Sequence, residues 1–180
     1  MNYEEKTLSA EHIYNGKVIK LDLLTVELPN GKEATREVVL HPGASAVIPI
    51  SSNGEVYMVT QYRKSMESIS LEIPAGKLDP GEDPKDAARR ELKEETGLEI
   101  GSLKHLVSMH STPGFSNEII HLYSATDLSE GTSCADEDEF ISVEKKPISQ
   151  LVKMVLNHEI TDAKSIIGIL LADKIIKGEI

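Results

Sequence analysis

From Asp83 to Gly97 the sequence DPKDAARRELKEETG carries the full punctuation of one helix, directly after a glycine-rich, strand-terminating loop, AGKLDPGED. Asp83 suits the N-cap, Pro84 takes N1 without losing a useful donor, and Gly97 suits the C′ position. The fold must therefore contain a strand, a tight loop and a helix in that order. The loop also brings the positive end of the helix to where phosphates approach.

The same helix crowds acid onto one side. At about 100° per residue, Glu91 and Glu95 fall within roughly 40° of each other, and Glu94 about 60° from Glu91. Ala87 and Ala88 flank that sector without filling it, and Leu92 points about 100° away, toward a core. Arg90 precedes Glu94 by four residues and can pair with it. Glu91 and Glu95 then form a like-charge i,i+4 pair, unfavourable by about 0.2–0.5 kcal/mol on a helix surface, and by more when half buried. Two readings stay open. One is a plain solvated face, the usual fate of such a run. The other is a site for a hard divalent cation, Mg²⁺ or Mn²⁺, with carboxylate ligands.

Composition narrows the classes. A formal charge of −11 over 180 residues argues against a general nucleic-acid binder, which needs a basic stripe. One cysteine, Cys134, leaves no internal disulfide. The start, MNYEEKTLSAEH, lacks the basic and apolar parts of a secretory signal, and the apolar run Ile166 to Ala172 is too short to cross a bilayer. These features lead us to expect a cytoplasmic protein.

Along the chain, residues 1–40 read as an antiparallel meander with turns at Asn15-Gly16 and Pro29-Asn30-Gly31. Such a small sheet is marginal alone, so it is expected to pair with the rest of the chain or with a second subunit. Residues 41–180 form the second region. ASAVIPI and EVYMVTQYR flank a turn as core strands, and SISLEIPAG is a further strand stopped by Pro74 and Gly76. After the helix come KHLVSMH and EIIHLYSAT, an acidic segment read as a mobile loop, the strand FISVEK, and helices over Ile148 to Asn157 and Asp162 to Lys177. The order is α+β.

Gly76, five residues, Glu82, seven residues, then Arg90-Glu91-Leu92-Lys93-Glu94-Glu95-Thr96-Gly97-Leu98 resembles the Nudix box, filling nine specified positions across 23 residues. The resemblance implies a Nudix α/β/α sandwich of mixed sheet. It also implies that Glu91, Glu94 and Glu95 are catalytic metal ligands, with Glu82 and Ala75 auxiliary to them and Arg90 orienting a catalytic glutamate. Beyond the box, QYR at Gln61 to Arg63, LEIPAGKLDPGE, and TPGFSNE with Pro113 fifteen residues after Leu98 are similar to the ADP-ribose pyrophosphatase branch. That branch implies substrate contacts at Arg36, Arg63, Glu72, Gly76, Pro113 and Gly114. It implies a water-positioning or basic glutamate in DEDEFISVE, where Glu137 and Glu139 both qualify. It further implies an N-terminal antiparallel sheet region exchanged within a homodimer. Thr112 stands where family members often carry Ser.

Without the resemblance these residues have duller readings. Arg36 and Arg63 are ordinary surface charges, Glu72 the exposed partner of a strand alternation, and Pro113 and Gly114 a turn. The expected activity is metal-dependent hydrolysis of ADP-ribose, or a similar nucleoside diphosphate sugar, to AMP and ribose 5-phosphate. The alternative is a Nudix-fold sensor that binds ADP-ribose without cutting it. Such relatives usually lose box glutamates, and here all remain. A purely structural acidic dimer ranks last.

Overall fold

The computed structural model describes residues 2–131 and 140–180. The chain forms two compact units. The first comprises Met1–Gly43 with His110–Ile119, and the second Ala44–Met109 with Ile120–Ile180.

In the first unit, β1 (Lys6–Asn15), β2 (Lys20–Glu27) and β3 (Glu33–Leu40) form an antiparallel meander in that order. Gly31, at φ 78°, makes the turn between β2 and β3, a left-handed conformation that a side chain would strain. Register places His12 opposite Asp22, and the imidazole Nδ1 meets the Asp22 carboxylate at 2.7 Å. The segment after His110 is tied to the end of β3. The Val39 N–H donates to the Phe115 carbonyl at 2.7 Å, and the His41 N–H to Asn117 Oδ1 at 2.8 Å. All ten residues of β1 are exposed, including Leu8, Ile13 and Tyr14.

The second unit is built on β4 (Ala44–Pro49), whose six residues are all buried. A strand with both faces covered reads as a continuous apolar run rather than an alternation. The two faces of β4 serve different clusters. Ala46 and Ile48 pack with Leu122, Leu151, Ile169 and Ala172, while Val47 packs with Ala88, Leu92, Leu98 and Tyr123. The sheet order is β7 (Ala75–Lys77), β4, β9 (Ile119–Glu130), β8 (Leu98–His110). β4 pairs parallel with β9 and antiparallel with β7, so the sheet is mixed. Helices α1 (Pro84–Thr96), α2 (Ile148–Leu156) and α3 (Ala163–Ile176) cover it. A second, antiparallel sheet runs β10 (Ser142–Pro147), β5 (Glu55–Arg63), β6 (Ser68–Glu72).

Two boundaries differ from the sequence reading. Gly76 does not stop a strand: it lies inside the short β7, because Pro74 breaks β6 and the chain re-enters pairing against Ser45. β8 also begins at Leu98, six residues before the expected strand KHLVSMH. Gly97 in the left-handed region turns the helix end straight into the strand.

Candidate active site

Helix α1 is capped as its sequence dictates. Asp83 Oδ1 accepts the Lys85 N–H at 2.8 Å, and the Gly97 N–H, at φ 73°, donates to the Lys93 carbonyl. Its buried side carries Ala87, Ala88 and Leu92, all without exposed surface, and also Glu95, only 7% exposed. A carboxylate among core residues must be hydrogen-bonded. Glu95 Oε2 accepts the N–H of Ala75, the first residue of β7, at 3.1 Å.

Arg90 gathers the other acids. Its Nε and Nη2 fork onto both oxygens of Glu82 at 2.9 Å, and Nη1 donates to Glu91 Oε1 at 2.7 Å and Glu94 Oε2 at 2.9 Å. Nη2 also donates to the Lys77 carbonyl at 3.1 Å. Arg90 thus satisfies the i,i+4 pairing expected with Glu94 and also takes Glu91, relieving its expected like-charge pairing with Glu95. Hydrogen bonding to Glu82 is the first cause that raises the Arg90 guanidinium above its ordinary value. The reverse effect lowers the Glu82 carboxyl to about 2.

Gly76 explains how Glu91 finds its place. A Cβ on Gly76 would sit 1.9 Å from the Glu91 carboxyl carbon, so the missing side chain is the space that the carboxylate occupies. The side chains of Glu82, Glu91, Glu94 and Glu95 offer hard oxygens, whose chemistry suits Mg²⁺ or Mn²⁺. Among the described residues, no three acidic, histidine or cysteine side chains already converge on one point. Arg90 holds three of these acids instead.

A second charged group lies at the ends of β5 and β6. Arg63 Nε and Nη2 form a fork with Glu72 at 2.8 and 2.7 Å. Lys164, in the first turn of α3, also bonds Glu72 Oε2 and stands 3.0 Å from Asp162. Glu72 is 2% exposed, which corrects its reading as the outward partner of an alternation. The register of β6 buries Ser70 and Glu72 and leaves Ile69 outside. Lys164 was missed in the sequence. Its signal was a cation in the first turn of an apolar helix, at the end where the macrodipole disfavours it.

Burial pushes the Glu72 carboxyl upward, but hydrogen bonding to Arg63 and the Lys164 charge outweigh it and bring the group down to about 2. A folded-state value below the ordinary 4.5 stabilises the protein above that ordinary value, and the contribution is lost as pH falls toward 2. Urea midpoints are therefore expected to fall between pH 5 and pH 2, and Glu72→Gln to flatten that slope. An unchanged slope in the variant would remove Glu72 from the account.

In the first unit, Arg36 Nε and Nη2 fork onto Glu5 at 2.9 and 2.6 Å, while Nη1 donates to the Thr35 carbonyl. Arg36, Glu5, Leu24, Pro113, Gly114 and Phe115 line a cavity of about 400 Å³, within the usual range for small-molecule sites. The structure thus brings Arg36, Pro113 and Gly114 together. Both arginines have turned their forks onto carboxylates of the chain itself. Glu137 and Glu139 lie outside the described residues.

A mixed sheet between helices, with one helix presenting carboxylates gathered by a single arginine, is the arrangement that the Nudix box implies. The NUDIX domain matches residues 39–166, and the nucleoside diphosphate sugar hydrolase N-terminal domain matches residues 5–39. The chain belongs to the Nudix family. It is 46% identical to the methanol dehydrogenase activator of Bacillus methanolicus, across 93% of this chain and 91% of that protein. It is also 46% identical to the ADP-ribose pyrophosphatase of Bacillus subtilis (strain 168), across 90% of this chain and 89% of the relative. The crystal structure of an ADP compounds hydrolase superposes with a TM-score of 0.88 over 99% of this chain and 98% of that one. At 23% identity, that likeness speaks for the fold alone.

Proposed function

We propose that this protein hydrolyses the pyrophosphate bond of ADP-ribose, or of a similar nucleoside diphosphate sugar, giving AMP and ribose 5-phosphate. The observation that carries the reading is the α1 face, with Glu95 buried against the Ala75 N–H and Arg90 organising Glu82, Glu91 and Glu94. ADP-ribose as the substrate is supported by the pyrophosphatase relative from Bacillus subtilis.

The reaction breaks one P–O bond of the anhydride and forms another from water, whose proton must be taken up. Glu91, Glu94 and Glu95, with Glu82 and the Ala75 carbonyl, are assigned to hold Mg²⁺ or Mn²⁺. A bound cation of this kind neutralises phosphate charge and lowers the pKa of a water. Arg90 keeps the glutamates oriented, and Glu137 or Glu139 is assigned as the base. Arg63 retains Nη1 for a phosphate oxygen, since its other two nitrogens are engaged with Glu72. Three hydrogen bonds from cations and 2% exposure favour a role for Glu72 behind Arg63 over direct ribose contact. In the first unit, Arg36, Pro113 and Gly114 are assigned to nucleotide-sugar binding, and Gly76 makes room for Glu91.

The protein is further proposed to be a cytoplasmic homodimer that exchanges its N-terminal sheet, residues 1–40, between subunits. The exposed Leu8, Ile13 and Tyr14 on the edge strand β1 support pairing with a second copy. Among the described residues no helix is long and apolar enough to cross a membrane.

Chromatographic product analysis after incubation with ADP-ribose, with and without MgCl₂, tests the reading. AMP and ribose 5-phosphate appearing only with metal is the expected result. Tight binding without turnover in Mg²⁺ or Mn²⁺ would replace the enzyme with a sensor.

A further inference from the structure

We infer that Lys164 is a positioning residue for substrate binding, fixing the Glu72 carboxylate so that Arg63 presents its remaining guanidinium nitrogen to a phosphate. This rests on the reading of Arg63 as a phosphate contact.

The first turn of α3 clasps the end of β6 at two points. The Lys164 ammonium reaches the Glu72 carboxylate, and Ser165 Oγ accepts the N–H of Ile73 at 2.8 Å while donating to Asp162 Oδ2 at 2.5 Å. Asp162, the N-cap of α3, also faces Lys164 at 3.0 Å. Arg63, Glu72, Lys164 and Asp162 thus form a chain of alternating charge whose formal sum is zero.

Stability alone gives little reason to build a charged group around this lysine. Its side chain is 10% exposed, so the ammonium is largely desolvated, and it opposes the helix dipole. Replacing a whole buried ion group by well-packed apolar residues is often neutral for stability or better, although removing one partner alone is costly. What an apolar residue could not do is share Glu72. A carboxylate divided between two cations neutralises neither fully, so Arg63 keeps positive potential toward solvent, where its side chain remains 38% exposed. Nη1 makes no hydrogen bond among the described residues, whereas Nε and Nη2 are fixed by the fork. Without Lys164 the remaining group, Arg63, Glu72 and Asp162, carries a net negative charge, which repels a diphosphate.

Steady-state hydrolysis of ADP-ribose by the 180-residue protein at saturating MgCl₂ decides the matter. Lys164→Met is expected to raise KM about tenfold with kcat within about twofold, the pattern of lost uniform binding. Lys164→Arg, which keeps the charge, should return KM to within about threefold of the parent. In an Arg63→Lys background, Lys164→Met should add little, because the two act through one contact. Lys164→Gln serves as a second uncharged variant should the methionine protein misfold. A parental KM in either folded uncharged variant overturns the inference, as does failure of both to fold, which would assign Lys164 to stability. Arg63→Lys with an unchanged KM, or a parent that neither cuts nor binds ADP-ribose, removes the underlying reading and the inference with it. A raised KM in Arg63→Lys beside a parental one in Lys164→Met removes the inference alone.

Discussion

Glu95→Gln is expected to lower kcat for ADP-ribose by about 10³-fold while leaving the protein folded. Glutamine matches glutamate in size and keeps an oxygen, so the Ala75 N–H retains its acceptor. What disappears is one negative charge on the buried side of α1, at a position only 7% exposed, where little solvent screens it. A hard divalent cation held by carboxylates contributes several kcal/mol to neutralising charge as the anhydride bond breaks, and each 1.4 kcal/mol corresponds to about tenfold in rate. Single-turnover assays should show the loss in the chemical step, with circular dichroism unchanged. Turnover within about tenfold of the parent would take Glu95 out of the catalytic group.

Gly76→Ala is expected to cut kcat/KM by about 10²-fold without a comparable loss of stability. The added methyl would lie 2.0 and 2.1 Å from the two carboxylate oxygens of Glu91. Those atoms are the far end of a flexible side chain, so the clash is relieved by swinging Glu91 aside rather than by moving backbone. Relief of that kind costs the fold little, and Gly76 has no positive φ for alanine to strain. It does displace a carboxylate from Arg90 Nη1 and from its place between α1 and β7, and misplacement by about 1 Å can cost 10²-fold in rate. The measurement is a paired one, kcat/KM beside the thermal midpoint. A fall in both together would make Gly76 a packing residue, and a fall in neither would show that the position of Glu91 is unimportant.

Local order was legible from local sequence. Asp83, Pro84 and Gly97 delimit α1 as capping chemistry requires, and the helix expected from Asp162 to Lys177 is α3. The apolar run ASAVIPI marks a core strand, and the Asn30-Gly31 signal marks a turn. Each of these depends on residues within a turn or two of one another. The Arg90–Glu94 pair was legible for the same reason, since four residues of helix bring the two side chains together. The Nudix box was legible as a pattern of types and spacings.

The partners of those residues were not. Arg90 forks onto Glu82, eight residues away and outside the helix, and Glu91 occupies a gap left by a glycine on another element. Glu72 and Lys164 meet across 92 positions, and alternation along β6 gave no way to know that its inner face would carry a carboxylate. Sequence by itself determined where the helices and most of the strands lie and which acids share a helical face, because capping and periodicity act over a few residues. The tertiary structure alone decided which acid meets which base and which charge is buried. Those outcomes depend on how α1 and α3 close over the mixed sheet, and burial sets the strength of every charge brought there.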